Sequence, residues 1–240
     1  MTSTINFYDV AGAIGVAAWL SYSTSGFIRS SVPRESALGA SISALILGVL
    51  GARLFSGFLA LGRLPTLSEL LHFERGGFAF HGFVLGVVIG IAAAAQVVRA
   101  RLPELLDAAA PAMALATACW RTGCFFNGCC WGIITYSRFD LPLPGHHSPP
   151  TIGLPLPLFE ACFLISVFLA LHALTKRQFL PKGCIAALYL SFHAAYRVAA
   201  DVWRPDYSNV FYGISVFLLI FGGLWLLKLR GQARLNKRQR

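Results

Sequence analysis

Charge is scarce in this chain of 240 residues: Asp and Glu number 10 between them, and all charged residues make up 12%. Too few polar groups are available to cover a water-facing surface, so an ordinary soluble globular protein is excluded. The C-x-x-C spacing usual for zinc is missing too, although there are 6 cysteines. No basic stretch precedes the first apolar run, where Asn6 to Asp9 stand, and no small-residue cleavage site follows it, so a cleavable signal peptide is not expected. No internal repeat of fixed period appears, and the connections between apolar runs are short. The expectation is one membrane-embedded domain over residues 1–240, without a soluble appendage, ending in a basic tail from about residue 229.

What is abundant is apolar side chain, at 56% of residues and a mean hydropathy of +0.65. At roughly 20 residues per crossing, the length allows about seven spans with short loops. The runs fall near residues 8–25, 37–61, 78–98, 105–121, 154–174, 183–203 and 209–228. The fold class expected is therefore all-α, a polytopic integral membrane protein.

The net charge of +10 raises the question of nucleic acid, and its distribution answers it. If the odd-numbered connections are cytoplasmic, that side carries Arg29, Arg34, Arg99, Arg101, Lys176, Arg177, Lys182 and the tail from Lys228 to Arg240. The opposite loops carry only Arg63, Arg75, Arg138 and Arg204, and no lysine. This positive-inside asymmetry puts the N-terminus outside and the C-terminus in the cytoplasm. The tail orients the protein and meets anionic lipid headgroups, and no nucleic-acid partner is expected.

Against this apolar background one run stands out, W-R-T-G-C-F-F-N-G-C-C-W-G at residues 120–132. An arginine such as Arg121 costs roughly 2.5–3.5 kcal/mol at mid-helix on insertion scales, and less near an interface. The glycines and the asparagine after it break the helix where backbone groups need partners in protein or water. On the topology above, this run lies at the outer leaflet. So do the start of span three, with His81 and Gly82, and the end of span six, with His193, Arg197, Asp201 and Arg204 on one helical stripe. Arg53 lies in the outer half of span two and Glu160 opens span five from the same side. Snorkelling alone would scatter such groups between both leaflets.

Arginines beside apolar walls suit a lipid phosphate, because the guanidinium fork matches phosphate oxygens and stays charged. A histidine among them can take a proton from an attacking nucleophile. In isolation His81 reads more simply as a core histidine bonded to a carbonyl. Its glycine-rich surroundings and the arginines shift the reading toward a general base in group transfer from a phospholipid.

Six stretches carry a resemblance to a known family. They are G-A-R-L at 51–54, G-G-F-A-F-H-G at 76–82, D-A-A-A-P at 107–111, R-T-G-C-F-F-N-G-C-C-W-G at 121–132, P-L-P-L-F-E-A at 155–161 and R-V-A-A-D-V-W-R-P-D at 197–206. In this order and spacing, the chain resembles the prolipoprotein diacylglyceryl transferases. The resemblance implies a seven-span enzyme of the bacterial inner membrane, with its active site near the periplasmic leaflet. Such an enzyme moves the diacylglyceryl group of phosphatidylglycerol onto the lipobox cysteine of a prolipoprotein and releases glycerol phosphate. It implies His81 as general base and Arg121 and Arg197 in catalysis or phospholipid binding. Tyr8, Arg53, Gly82, Asn127, Gly132, Glu160, Asp201 and Arg204 are then the substrate-binding candidates. The implied partners are phosphatidylglycerol, the prolipoprotein and membrane lipids, and no cofactor is implied.

The chain also departs from the family pattern. Asp201 stands where glutamate is common, and this shorter carboxylate needs a closer approach to pair with an arginine. Leu154 precedes the span-five proline where histidine is usual, and His193 takes a tyrosine's place with Tyr196 adjacent. Asn6-Phe7 stands where an arginine often precedes the N-terminal tyrosine. Transfer to a different acceptor, and non-catalytic lipid binding on the same fold, therefore stay open as alternatives.

Cys124, Cys129 and Cys130 suggest a metal at first sight. Adjacent cysteines rarely both serve one tetrahedral ion, so small packing residues are expected there and no metal site, with a disulfide open at an oxidising face. Cys119, Cys162 and Cys184 read as buried apolar fillers. The proline-rich stretch 141–155, with His146 and His147, reads as a mobile loop over the site entrance. His72 and His172 carry no partner signal.

Overall fold

A computed structural model describes residues 6–71, 78–143, 152–177, 180–205 and 208–238. His72, Glu74, Arg75, Gly76, Gly77, His146, His147 and Asp206 lie outside the described residues. The chain forms α1 (Phe7–Arg29), α2 (Arg34–Leu61), α3 (Leu67–Leu71), α4 (Phe80–Val97), α5 (Leu102–Phe126), β1 (Leu141–Pro142), β2 (Ile152–Gly153), α6 (Leu156–Thr175), α7 (Cys184–Asp201) and α8 (Asn209–Arg238). The all-α expectation needs one amendment: the ends of the proline-rich loop pair as a short antiparallel ladder, Leu141 opposite Gly153 and Pro142 opposite Ile152.

Among the described residues four helices are long and apolar enough to cross a membrane: Arg34–Leu61, Phe80–Val97, Leu156–Thr175 and Asn209–Ala233. Their large side chains are widely exposed, Ile46 at 53%, Leu85 at 59% and Phe217 at 64%, as befits surfaces that meet lipid rather than water. The other three long helices carry more polar groups. Helix α5 holds Glu104, Asp107 and Arg121, and α7 holds His193, Arg197 and Asp201.

The chain divides into two compact units, one of Met1–Tyr22 with Asp107–Arg240 and one of Ser23–Leu106. In the second unit, α2 and α4 run antiparallel with almost nothing between their backbones. A Cβ on Gly82 would stand 2.3 Å from the Gly51 carbonyl oxygen, one on Gly86 2.0 Å from that of Leu47, and one on Gly90 2.6 Å from Ala44 Cα. Glycine at every fourth position lines one face of α4, which is how helices pack when lipid supplies no hydrophobic drive between them. Close by, Ser23 and Thr24 of α1 hydrogen-bond the Ser41 hydroxyl of α2 at 2.9 and 3.0 Å.

In the first unit, α5 and α7 run parallel and are joined at their starts by Asp107. Its carboxylate accepts the backbone N–H groups of Gly183 at 2.7 Å and Ala186 at 2.8 Å, donors at the first turn of α7 that have no partner within their own helix. Arg121 lies 14 residues past Asp107 and Arg197 lies 11 past Ala186, rises of about 21 and 17 Å at 1.5 Å per residue. One carboxylate therefore brings the two arginines to nearly the same level.

Candidate active site

Helix α6 runs antiparallel to α7, and its second turn places Glu160 between the two arginines. Arg121 Nε lies 3.0 Å from Glu160 Oε2 and Arg197 Nη1 lies 3.6 Å from the same oxygen. Arg197 Nη2 also contacts Asp201 Oδ1, one turn along α7. The shorter carboxylate anticipated at that position thus does reach its arginine. His193 Nε2 stands 4.0 Å from Glu160 Oε1. Tyr196 ties α7 to α6, its hydroxyl donating to the Leu156 carbonyl at 3.2 Å while its ring stacks on Phe163.

These groups are buried: Glu160 is 2% exposed, Asp201 4% and Arg197 8%. Two guanidinium groups this close repel one another, and the Glu160 and Asp201 carboxylates offset that repulsion. Such ion clusters add little net stability, but removing one member leaves an uncompensated buried charge. Arg197 Nε has no hydrogen-bond partner among the described residues, so this buried fork still offers a donor to an anionic oxygen. The arrangement is a rigid, preorganised set of guanidinium donors, which needs no reorganisation when negative charge develops beside it.

Beyond Arg121 the chain leaves α5 through a left-handed cap. Gly128 has φ +69°, its N–H bonds the Phe125 carbonyl at 3.1 Å, and the Cys129 N–H bonds the Cys124 carbonyl at 3.1 Å, the paired bonds of a Schellman turn. Asn127 ends the helix, its N–H bonded to the Gly123 carbonyl at 3.0 Å. The strand-like stretch that follows is pinned on two sides, Gly132 N–H to Leu154 at 2.8 Å and Ile133 N–H to Trp203 at 2.8 Å. A Cβ on Gly132 would come within 3.0 Å of both Leu154 Cβ and the Trp203 carbonyl, so only glycine fits without movement. This stretch, Leu143, Ile152, Pro205 and Arg204 line an open cavity of about 410 Å³, largely apolar, with Arg204 on its wall.

The cap also changes the reading of the cysteines. Cys124, Cys129 and Cys130, expected as packing residues, bring their sulfurs within 4.8 Å of one another. Adjacent side chains normally diverge, but Cys130 has φ +63°, which turns its thiol back toward its neighbours. All six cysteines are free thiols, and Cys162, expected to be buried, is exposed.

Of the other candidates, Tyr8 packs in the first unit against α5, its ring edge-on to Trp120 at 5.5 Å. Arg53, His81 and Gly82 belong to the second unit. Arg53 is 8% exposed and donates to the backbone carbonyls of Glu69 at 2.7 Å and Leu70 at 3.3 Å, with Phe78 beneath it at 5.3 Å. These bonds organise the short helix α3. His81 is the second residue of α4, beside the Phe80 ring, and Gly82 begins the glycine face against α2.

Two groups were missed. Asp107 appeared only within a motif, although a carboxylate near the start of an apolar run is itself a signal for a capping partner. His172, which carries no partner signal in the sequence, is hydrogen-bonded with Tyr22.

The chain matches the family described as prolipoprotein diacylglyceryl transferase over residues 1–229. Curated relatives include a phosphatidylglycerol–prolipoprotein diacylglyceryl transferase of Dehalococcoides mccartyi, 27% identical over 206 residues that cover 84% of this chain and 78% of the relative. A protein of the same name from Francisella tularensis subsp. novicida is 26% identical over 203 residues, covering 79% and 74%.

Proposed function

The chain belongs to the prolipoprotein diacylglyceryl transferase family, and from that premise we propose that it transfers the diacylglyceryl group of phosphatidylglycerol to the lipobox cysteine thiol of a prolipoprotein. The observation that carries this reading is the buried set of Arg121, Arg197, Glu160 and Asp201, built from three helices beside a largely apolar cavity. The thiol sulfur attacks a glycerol carbon, the carbon–oxygen bond to phosphate breaks, and glycerol phosphate departs as an anion. Arg121 and Arg197, held in place by the two carboxylates, stabilise the charge that gathers on the leaving phosphate. Arg204 supplies a further cation on the cavity wall, and Tyr8, Asn127 and Gly132 shape the surroundings of the arginines. His81 is assigned the thiol proton by resemblance, with Gly82 beside it, while Arg53 holds α3 through the Glu69 and Leu70 carbonyls.

In this reading residues 1–240 form one domain of seven spans in the bacterial inner membrane. The N-terminus is outside, the C-terminus is cytoplasmic and the arginines face the periplasmic leaflet. The positive-inside distribution supports that orientation. Cysteines introduced at 145–148 should react with an impermeant label from outside while positions after Lys228 stay protected; the reverse pattern overturns the topology.

The activity is tested with purified protein, phosphatidylglycerol and a lipobox peptide. The expected products are a thioether-linked diacylglyceryl peptide and glycerol phosphate, abolished in Arg121→Ala and His81→Ala. Headgroup release without modified peptide would point to a different acceptor. No change in either substrate would leave lipid binding as the function.

A further inference from the structure

The transfer reaction as proposed uses none of the three clustered thiols. The cluster stands at the end of α5, one turn beyond Arg121, and its three sulfurs lie within 4.8 Å of one another. Thiolates sharing one ion at about 2.3 Å per bond stand about 4 Å apart, so closing on an ion needs only small side-chain movements. The Schellman turn at Gly128 and the left-handed Cys130 supply the convergence that a regular backbone denies to neighbouring residues. No fourth His, Cys, Asp or Glu joins the group among the described residues.

Structural zinc takes four protein ligands almost without exception, and only three converge among the described residues; soft thiolate sets hold copper(I) as well as zinc, and three thiolates suit copper(I) better. Three thiolates around a monovalent ion carry two negative charges, and the Arg121 and Arg204 cations both act on Cys130. Cys130 also lines the cavity of about 410 Å³, which puts one of the three residues beside open space. We propose that Cys124, Cys129 and Cys130 form a three-thiolate site for a soft monovalent cation of the copper(I) type, beside that cavity. On binding, each thiol releases its proton to solvent and no electron is transferred.

The test is an anaerobic titration of the purified full chain in detergent with copper(I), in competition with a chromophoric copper(I) chelator. One copper per chain should be retained, with sulfur-only coordination by X-ray absorption. Bound copper should shield three of the six cysteines from alkylation, read by mass. Cys124→Ser and Cys130→Ser should each weaken binding by about 100-fold or more, since even the outer-shell partners of metal ligands are worth roughly 10–100-fold. Cys162→Ser should change nothing. If Cys124→Ser does not fold, Cys130→Ser and the alkylation count carry the test. Failure to retain copper, retention unchanged in Cys130→Ser, or preference for zinc with a light-atom fourth ligand would each overturn the assignment. Because the readout is metal binding, neither outcome depends on the transfer assay.

Discussion

The two units hold their helices together by opposite means. Between α2 and α4 the contact surface is backbone on backbone, made possible by side chains that are absent. Among α5, α6 and α7 it is made by charged side chains that an apolar environment would ordinarily reject. The first arrangement needs only shape and can be spoiled by a single added methyl. The second needs every member present, because each charge is tolerable only beside its opposite. A membrane chain short of charge thus buries a few of its charged groups together where three helices meet, and joins α2 to α4 through glycine.

Four experiments press on this contrast. Glu160→Gln should have the largest effect, because it leaves two buried guanidinium groups facing one another. A loss of about 3–5 kcal/mol is expected, read as a fall in unfolding temperature in detergent; unchanged stability would mean that the arginines are compensated elsewhere. Gly86→Val should come next, at about 3 kcal/mol or more, since the clash is with backbone rather than a movable side chain. Its control is Gly213→Ala, where an added Cβ meets nothing within 4 Å. If both behave alike, the glycine face is not what joins α2 to α4.

Asp107→Ala should cost about 1–2 kcal/mol as a lost helix cap. Because the cap sets the level of Arg197 against Arg121, transfer should also fall, by up to about 10²-fold at a temperature where the variant stays folded. A stability loss with full activity would separate capping from alignment. The smallest effect should come from the exposed Arg63–Glu69 pair in the second unit. Hydrogen bonds from the Arg63 side chain, then from Thr66, hold the Glu69 carboxyl at about 2, below its ordinary 4.5. A depressed folded value means that the pair's contribution is whole above about pH 4.5 and fades as pH falls toward 2. Glu69→Gln should leave stability at pH 7 within error, the pair being exposed to solvent.

Much of the helical frame was legible because apolar runs announce themselves by length alone. The expected run 37–61 became Arg34–Leu61, 154–174 became Leu156–Thr175 and 183–203 became Cys184–Asp201. The run 209–228 was underestimated, because the basic tail continues α8 to Arg238 without a breaker to end it. Arg121, Arg197, Glu160 and Asp201 could be grouped from helical spacing and direction. That each arginine would be matched to a carboxylate could not, since it depends on how the helices are rotated. The glycine face is written in the sequence at Gly82, Gly86 and Gly90, but only Gly82 entered the reading, as a substrate-binding candidate, and the every-fourth-residue spacing was not used. The meeting of the thiols depends on one positive φ at Cys130, which no side-chain pattern encodes.

The close approach of α2 and α4 also bears on how the second unit can move. Where side chains interlock, helices shift by small rotamer changes; here the carbonyl oxygens of Gly51 and Leu47 sit against Gly82 and Gly86, so that part of the contact is backbone on backbone. Sliding α4 along α2 would have to pass from one glycine to the next. With glycines four residues apart and 1.5 Å of rise each, that is a step of about 6 Å. Small displacements of α4 along α2 are therefore resisted, and His81 sits at the end of the helix held in this way.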